Sequence, residues 1–364
     1  MKRIVIDARE SGSTTGRYVD KLIEYLYGLQ PEYEVILLAK AKRVEFFSKL
    51  TPSWTVIETP YKEFSFGEQL GFWWQIRTIH ADLVFFPMVQ QPILYSGRVV
   101  TTIQDLTGIR FDNPTKNPII YWVKQQVYKL VIKQAAKKSA ALMVPTQFVK
   151  DDVASYSGVN PEKITVTLES ADPIPDKPEP IDSLVGQKFI MYVGRPTPHK
   201  NLERLIKAFS VLRKTHPELK LVLAGKTDGN YRRIEASVKQ QSIKNVVFTD
   251  FVSEGQLRWL YEHCLAYIFP SLSEGFGLPG LEAMLHGAPV VSSNATCLPE
   301  VYGPAAEYFD PIDTSDIAKA IDKVLTDHKL RRKLIELGHK QVAKYSWQRM
   351  ARQTLAVWRE VLGD

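Results

Sequence analysis

A chain of 364 residues, 45% apolar and 24% charged, can bury two cores of ordinary domain size, which excludes a disordered or fibrous protein. No apolar run approaches the roughly 20 residues that span a bilayer, and the two cysteines, Cys264 and Cys297, supply neither a disulfide framework nor metal-ligand spacing. The net charge of +7 is confined to one stretch, since eight basic residues and one acid lie between Arg110 and Lys150 and the remainder is neutral.

Residues 1–7 lack the apolar core of a signal peptide, and a reducing cytoplasm is the expected compartment. Short apolar runs predict strands at 4–7, 35–38, 83–86, 99–103 and 141–144, with helices at 16–29 and 118–139. Residues 172–180 carry four prolines and read as a linker. Beyond it strands are predicted at 189–193, 221–224, 246–248, 266–269 and 289–291. Helices are expected to start near Asn201, Gly229, Ser253, Leu278 and Ser315, and a last one to run from Ser346 to about residue 362. Strand-helix alternation predicts an α/β protein of two Rossmann-like domains whose parallel sheets face a central cleft. The expected divisions are 1–172, a linker at 173–187, 188–345, and a C-terminal helix at 346–364 that crosses back to the first domain.

Four loops at predicted strand ends carry chemistry. Residues 7–18 form a Gly/Ser/Thr-rich turn containing Gly16, without the spacing of a dinucleotide fingerprint, so a nicotinamide enzyme is not expected. Gly194, Arg195 and Lys200 place two cations on a turn, with Asn201 as a helix cap. Arginine can grip a diphosphate bidentately and lysine meets it as a point charge. Asp250, Phe251 and Val252 follow the third strand of the second half. The segment Glu274-Gly275-Phe276-Gly277-Leu278-Pro279-Gly280-Leu281-Glu282 puts two carboxylates around glycine-bearing backbone at a helix start. Amides there suit a phosphate and carboxylates suit sugar hydroxyls, which together indicate a sugar nucleotide.

This string resembles the donor-site signature of retaining GT-B glycosyltransferases, the GT4-like family of glycosyl transferases group 1. The resemblance extends over nearly the whole chain and implies a hexosyltransferase of the EC 2.4.1 type. Its donor is a nucleoside diphosphate sugar, with mannose preferred, and its acceptor is a hydroxyl of a bacterial cell-surface glycan or glycolipid. It implies Arg195 and Lys200 on the donor diphosphate and Glu274 on the sugar hydroxyls. Amides of Phe276, Gly277 and Leu278 serve sugar and phosphate, Glu282 the ribose, the backbone of 250–252 the nucleobase, and Gly16 the donor phosphate. No metal or cofactor is expected, since Asp310, Asp313 and Asp316 read as a turn and helix start. Retention would follow front-face substitution, in which the leaving diphosphate helps deprotonate the acceptor and the domains close about residues 172–180.

One departure stands out. Where the family has His-Asp-Leu, the chain has Gln104-Asp105-Leu106, so an imidazole is replaced by an amide that cannot act as a base. Asp105 is a candidate acceptor-side residue or a structural cap. The substitution motivates an alternative, a weakly catalytic sugar-nucleotide-binding partner subunit; a GT-B hydrolase or phosphorylase-like enzyme is a second. On the predicted helix at 118–139, Ile120, Val123, Val127, Leu130 and Val131 form a stripe expected to pack on the sheet. The opposite face, Trp122, Tyr128 and Ile132 beside Lys129, Lys133 and Lys137, is expected to be exposed and to meet an anionic inner-leaflet surface carrying a lipid-linked acceptor. Nucleic acid is not an expected partner.

Overall fold

A computed structural model of the chain describes residues 1–13, 16–111 and 118–364, the side chains of 118–120 excepted. Thr14 and Thr15 of the glycine-bearing loop, Asp112 and the Ile120 side chain therefore lie outside the described residues. Thirteen strands are described, all in parallel pairs, and they form two sheets.

The first compact unit contains Met1–Ile109, Pro118–Glu169 and Ser346–Asp364. Its strands are β1 (Arg3–Asp7), β2 (Glu34–Ala39), β3 (Thr55–Glu58), β4 (Leu83–Phe86), β5 (Val99–Thr102), β6 (Ala141–Val144) and β7 (Ile164–Val166), in the order β3-β2-β1-β4-β5-β6-β7. The central strands are apolar without alternation, as in the wholly buried Leu-Val-Phe-Phe of β4, because helices cover both faces. Helix Arg17–Gly28 turns Tyr18, Val19, Leu22, Ile23 and Leu26 inward. Helix Trp347–Leu362 belongs to this unit, and Ser346 caps it through a bond from the amide of Arg349. Its Trp358 is fully buried with its ring edge-on to Phe85 at 5.3 Å, and Asp364 accepts from Lys2 and from the Tyr33 hydroxyl.

The second unit holds Ser170–Tyr345. Its strands are β8 (Phe189–Val193), β9 (Lys220–Ala224), β10 (Val246–Asp250), β11 (Ala266–Phe269), β12 (Val290–Ser293) and β13 (Ala306–Phe309), in the order β10-β9-β8-β11-β12-β13. Helix Leu202–Leu212 buries Leu202, Leu205, Ile206, Phe209 and Leu212, and helix Glu254–His263 begins with a capping box between Ser253 and Gln256.

Two expectations are corrected. The helix at Pro118–Lys138 buries residues from both expected faces rather than the expected stripe alone. Ile132 is fully buried, Val131 nearly so, and Tyr128 is mostly covered, whereas Val123, Val127 and Leu130 are about half exposed. Both sides of this helix are apolar, so periodicity cannot choose between them. Shape does: Ala135 and Ala136 allow close approach to the core of Ile103, Leu106 and Val144, and Tyr128 lies over Gly108 and edge-on to Phe64. Asn201 does not cap its helix with its side chain. Instead its buried amide donates to the carbonyls of Pro270, at 3.0 Å, and Pro311, at 2.7 Å. The proline-rich segment is fastened by hydrogen bonds. Arg258 donates to the carbonyls of Ile174 and Asp176, the amide of Ile174 donates to His286 Nε2, and Glu179 and Gly255 pair through the backbone.

Candidate active site

In the second sheet the chain reverses its direction of progress between β8 and β11, so the loops after these two strands diverge and leave a crevice at their carboxyl ends. Those loops carry Lys200 and Glu274. The two side chains meet, Nζ to Oε1, at 2.5 Å, and are 18% and 13% exposed. The lysine also lies over the Phe269 ring at 5.4 Å. Arg195 on the same β8 loop is exposed and makes no ion pair among the described residues. His199, between them in sequence, is held neutral: burial, reinforced by Lys200, lowers its pKa to about 4.

The backbone around this pair approaches itself closely. Gly194 has φ of 143° and Gly225 has φ of 151°, and a Cβ on Gly225 would lie 2.5 Å from the carbonyl oxygen of Gly194. Asp250, at φ 58°, closes the neighbouring turn. Its carboxylate accepts from the amide of Thr227 at 2.7 Å, which lowers its pKa, and its carbonyl accepts from the amide of Gly225. Phe251 beside it is 76% exposed, and Val252 is partly covered.

On the β11 side, Gly277 sits at φ 95° and opens helix Leu278–Leu285. The amides of Phe276, Gly277 and Leu278 take no hydrogen bond among the described residues, so the loop presents donors at a helix N-terminus. Tyr302 braces this turn: its buried hydroxyl donates to the Gly277 carbonyl, and a Cβ on Gly280 would lie 2.3 Å from its ring. Thr296 Oγ1 accepts from the amide of Glu274, and Cys297 Sγ donates to its carbonyl. These supports were missed in the sequence, where no spacing connects residues 296–302 to the Glu274 loop. Glu282 is 6% exposed and lies 3.4 Å from the Tyr261 hydroxyl. The three aspartates near residue 313 act on backbone: Asp313 caps a helix, Asp316 accepts from the amide of Asp310, and Asp310 accepts from that of Ile312.

The first sheet reverses between β1 and β4. The loop after β1 begins with a buried ion cluster in which Arg9 meets Asp7 at 2.7 Å and Glu68 at 2.8 Å, its guanidinium 3.7 Å from the Phe72 ring. Burial alone would lower the Arg9 pKa, but the two carboxylates overcome it and the pKa is raised. The same loop reaches Gly16, where a Cβ would lie 2.2 Å from the Glu10 carbonyl oxygen. After β5, Asp105 accepts from the amide of Thr107 at 2.7 Å as a turn cap, and Gln104 is half-buried.

Residues 174–341 match the family model of glycosyl transferases group 1. This segment belongs to that family. Within the group 1 segment lie Gly194, Arg195, Lys200, Asp250, Phe251, Val252, Glu274, Phe276, Gly277, Leu278 and Glu282, whereas Gly16, Gln104 and Asp105 precede it. The Escherichia coli serotype-specific mannosyltransferase WbdA is 35% identical over 210 residues, covering 57% of this chain and 26% of that protein. The chain thus spans about a quarter of the length of this curated relative. The Escherichia coli O-antigen chain mannosyltransferase B is 29% identical over 280 residues, 72% of this chain and 70% of that protein. Among solved structures, sucrose-phosphate synthase from Thermosynechococcus elongatus superposes with a TM-score of 0.78 at 18% identity over the full length of both chains. WaaG, a glycosyltransferase involved in lipopolysaccharide biosynthesis, does so at 0.74 and 15% identity, over 97% of this chain and 99% of that one. The fold is that of the GT-B glycosyltransferases.

Proposed function

We propose that this protein is a retaining glycosyltransferase that moves a hexosyl group, mannose from GDP-mannose, to an acceptor hydroxyl in bacterial cell-surface glycan assembly. The observation that carries the reading is the Lys200–Glu274 pair at the reversal point of a parallel sheet, beside open amides at a helix start. A bound donor would part the two side chains, Lys200 going to the diphosphate and Glu274 to sugar hydroxyls. Arg195 would join Lys200 on the phosphates, and the amides of 276–278 would complete the anion site. Phe251 and the backbone of 250–252 would receive the base, and Glu282 the ribose. With Glu274 on the sugar hydroxyls and Glu282 on the ribose, neither carboxylate of this segment is assigned to double displacement, which favours substitution on one face with the leaving diphosphate as proton acceptor. The preference for mannose rests on the relatives whose names describe mannosyltransferases. Catalysis on this reading uses orientation and charge stabilisation without a metal or cofactor.

The test is nucleoside diphosphate release from GDP-, UDP- and dTDP-sugars, with and without a bacterial lipid extract. Release from a GDP-sugar that rises with extract, and is lost in Glu274→Ala, is expected. A protein that binds a donor but never turns it over sinks the transferase in favour of a partner subunit, and recovery in Gln104→His would identify the missing imidazole as the cause.

The acceptor is proposed to be lipid-linked and to be met at an anionic inner-leaflet surface. What supports this is the exposed side of the 118–138 helix, where Trp122 is 63% exposed and Val123, Val127 and Leu130 accompany Lys124, Lys133 and Lys137. Rings and aliphatic groups enter the headgroup layer while ammonium groups meet lipid phosphates. No described helix is long and apolar enough to cross a membrane. Cosedimentation with anionic vesicles at low salt, reduced in a Trp122→Ser variant, is the expected result; an equal loss on neutral vesicles would refute the charge component.

A further inference from the structure

Two buried tyrosines in the second unit carry hydroxyls that packing alone does not require. Tyr192, in β8, is fully buried, and Tyr231, in helix Gly229–Gln240, is almost so, with its ring edge-on to Phe248. Phenylalanine would bring the same ring, whereas a phenol inside a core must find a hydrogen-bond partner. Both hydroxyls find theirs in one short piece of backbone. Tyr231 donates to the carbonyl of Gly194 at 3.0 Å and shares that bond with the carbonyl of Ala224 at 3.3 Å. Tyr192 donates to the carbonyl of Arg195 at 3.3 Å. The amide of Gly194 completes the set by donating to the Ala224 carbonyl at 3.0 Å.

The carbonyls of Gly194 and Arg195 belong to the two peptide planes that meet at the Cα of Arg195. Each plane is rigid, so holding both fixes φ and ψ of that residue and with them the direction of its Cα–Cβ bond. The second plane leads into Pro196, which has no N–H, so the carbonyl is the one polar group through which it can be held. The proline also confines Arg195 to extended backbone. Glycine makes room for the arrangement: a Cβ on Gly194 would lie 2.8 Å from the Tyr192 hydroxyl, and one on Gly225 would lie 3.2 Å from the Tyr231 ring. The outcome is a side chain with a fixed root and a free end, since Arg195 itself is exposed. We propose that Tyr192 and Tyr231 are the positioning residues of Arg195, anchoring its backbone on both sides so that its guanidinium meets the diphosphate of a nucleotide at a smaller ordering cost. This rests on the reading of Arg195 as a donor-phosphate ligand.

Two measurements on the full chain test this. In the first, binding of GDP, UDP and dTDP, and of the nucleoside of each, is followed by calorimetry. In the paired variant Tyr192→Phe/Tyr231→Phe the diphosphate that binds should lose about 5-fold in affinity, the larger part from Tyr231→Phe, whose hydrogen bond is the shorter. The nucleoside should bind as it does to the wild type. On an Arg195→Ala background the same replacements should cost nothing further, because the tyrosines act only through the arginine. In the second measurement the Arg195 amide is followed by ¹⁵N relaxation in arginine-labelled protein, its signal being the one absent from Arg195→Ala. It should be as rigid as the amide of Arg204, in helix Leu202–Leu212, and should loosen in the paired variant while Arg204 does not. Should the pair fail to fold, each single replacement is read in the same way. An unchanged diphosphate affinity, an equal loss for the nucleoside, a loss that persists in full without Arg195, or an Arg195 amide indifferent to the tyrosines would each overturn the proposal. A wild type that binds no diphosphate, with the relaxation result as expected, would instead refute the donor site and leave the anchoring of Arg195 intact.

Discussion

The two sheets reverse at equivalent points, β1/β4 and β8/β11, and each point carries an arginine or lysine paired with a glutamate. Arg9 is 1% exposed, satisfied by two buried carboxylates and covered by Phe72. The Lys200–Glu274 pair is partly exposed and consists of one contact between two flexible side chains. A buried triad cannot exchange partners without leaving a charge in a low-dielectric interior, so it fixes backbone. A partly hydrated pair can open for a ligand that offers phosphate to one member and hydroxyls to the other. Equivalent positions in the two sheets thus hold a buried scaffold cluster in one unit and, on the proposed function, a donor-binding pair in the other.

The sharpest way to break this comparison is to remove one member of each pair. Arg9→Met should leave Asp7 and Glu68 buried and unpaired and destabilise the first unit by about 3–5 kcal/mol, read from denaturant unfolding. Lys200→Ala should cut nucleoside diphosphate release by ~100-fold, equivalent to ~3 kcal/mol in the barrier. Its cost in stability should be only about 1 kcal/mol, because Glu274 can take up water. Reversal of these two outcomes, with Lys200 the stabiliser and Arg9 dispensable for folding, would refute the division of roles.

A smaller effect sharpens the contrast through pH. In the first unit Glu169 holds its proton more tightly when folded, its pKa raised from 4.5 to about 8 by burial. Its contribution to stability is full below 4.5 and is lost as the pH rises through 8. In the second unit burial lowers His199 from 6.5 to about 4, so stability is lost as the pH falls through that window. Each tenfold displacement in proton affinity is worth about 1.4 kcal/mol. Unfolding curves across pH should therefore show an alkaline limb flattened by Glu169→Gln and an acid limb flattened by His199→Asn. The smallest effect expected is from Tyr302→Phe, which removes one hydrogen bond to Gly277 and should cost about 1 kcal/mol.

Much of this was legible in the sequence for physical reasons. Uninterrupted apolar runs such as residues 83–86 and 189–193 can only be strands covered on both faces, and their alternation with amphipathic stretches dictates parallel sheets. The loops at 194–200 and 274–282 stood out because glycine, cations and carboxylates were concentrated at predicted strand ends. Hidden were the contacts made between segments distant in sequence. Glu68 lies 59 residues from Arg9, and Asn201 bonds to carbonyls 69 and 110 residues away. Strands β3, β7 and β13 escaped notice because they are short edge strands with partly exposed residues. The inward side of the helix at 118–138 was only partly assigned because two apolar stripes compete on it and only packing volume decides between them.

The fastening of the proline-rich segment has a consequence for how the chain can be cut. Residues 174–179 look like an exposed connector, yet Arg258, His286 and Gly255 hold their backbone against the second unit. Ile174 and Glu179 have their amides engaged, and Ile174 and Asp176 their carbonyls, so the segment cannot enter a protease groove as an extended strand without breaking these bonds. The stretch that composition marks as the natural scission point should survive digestion under native conditions, and should yield only when the helix at Glu254–His263 lets go.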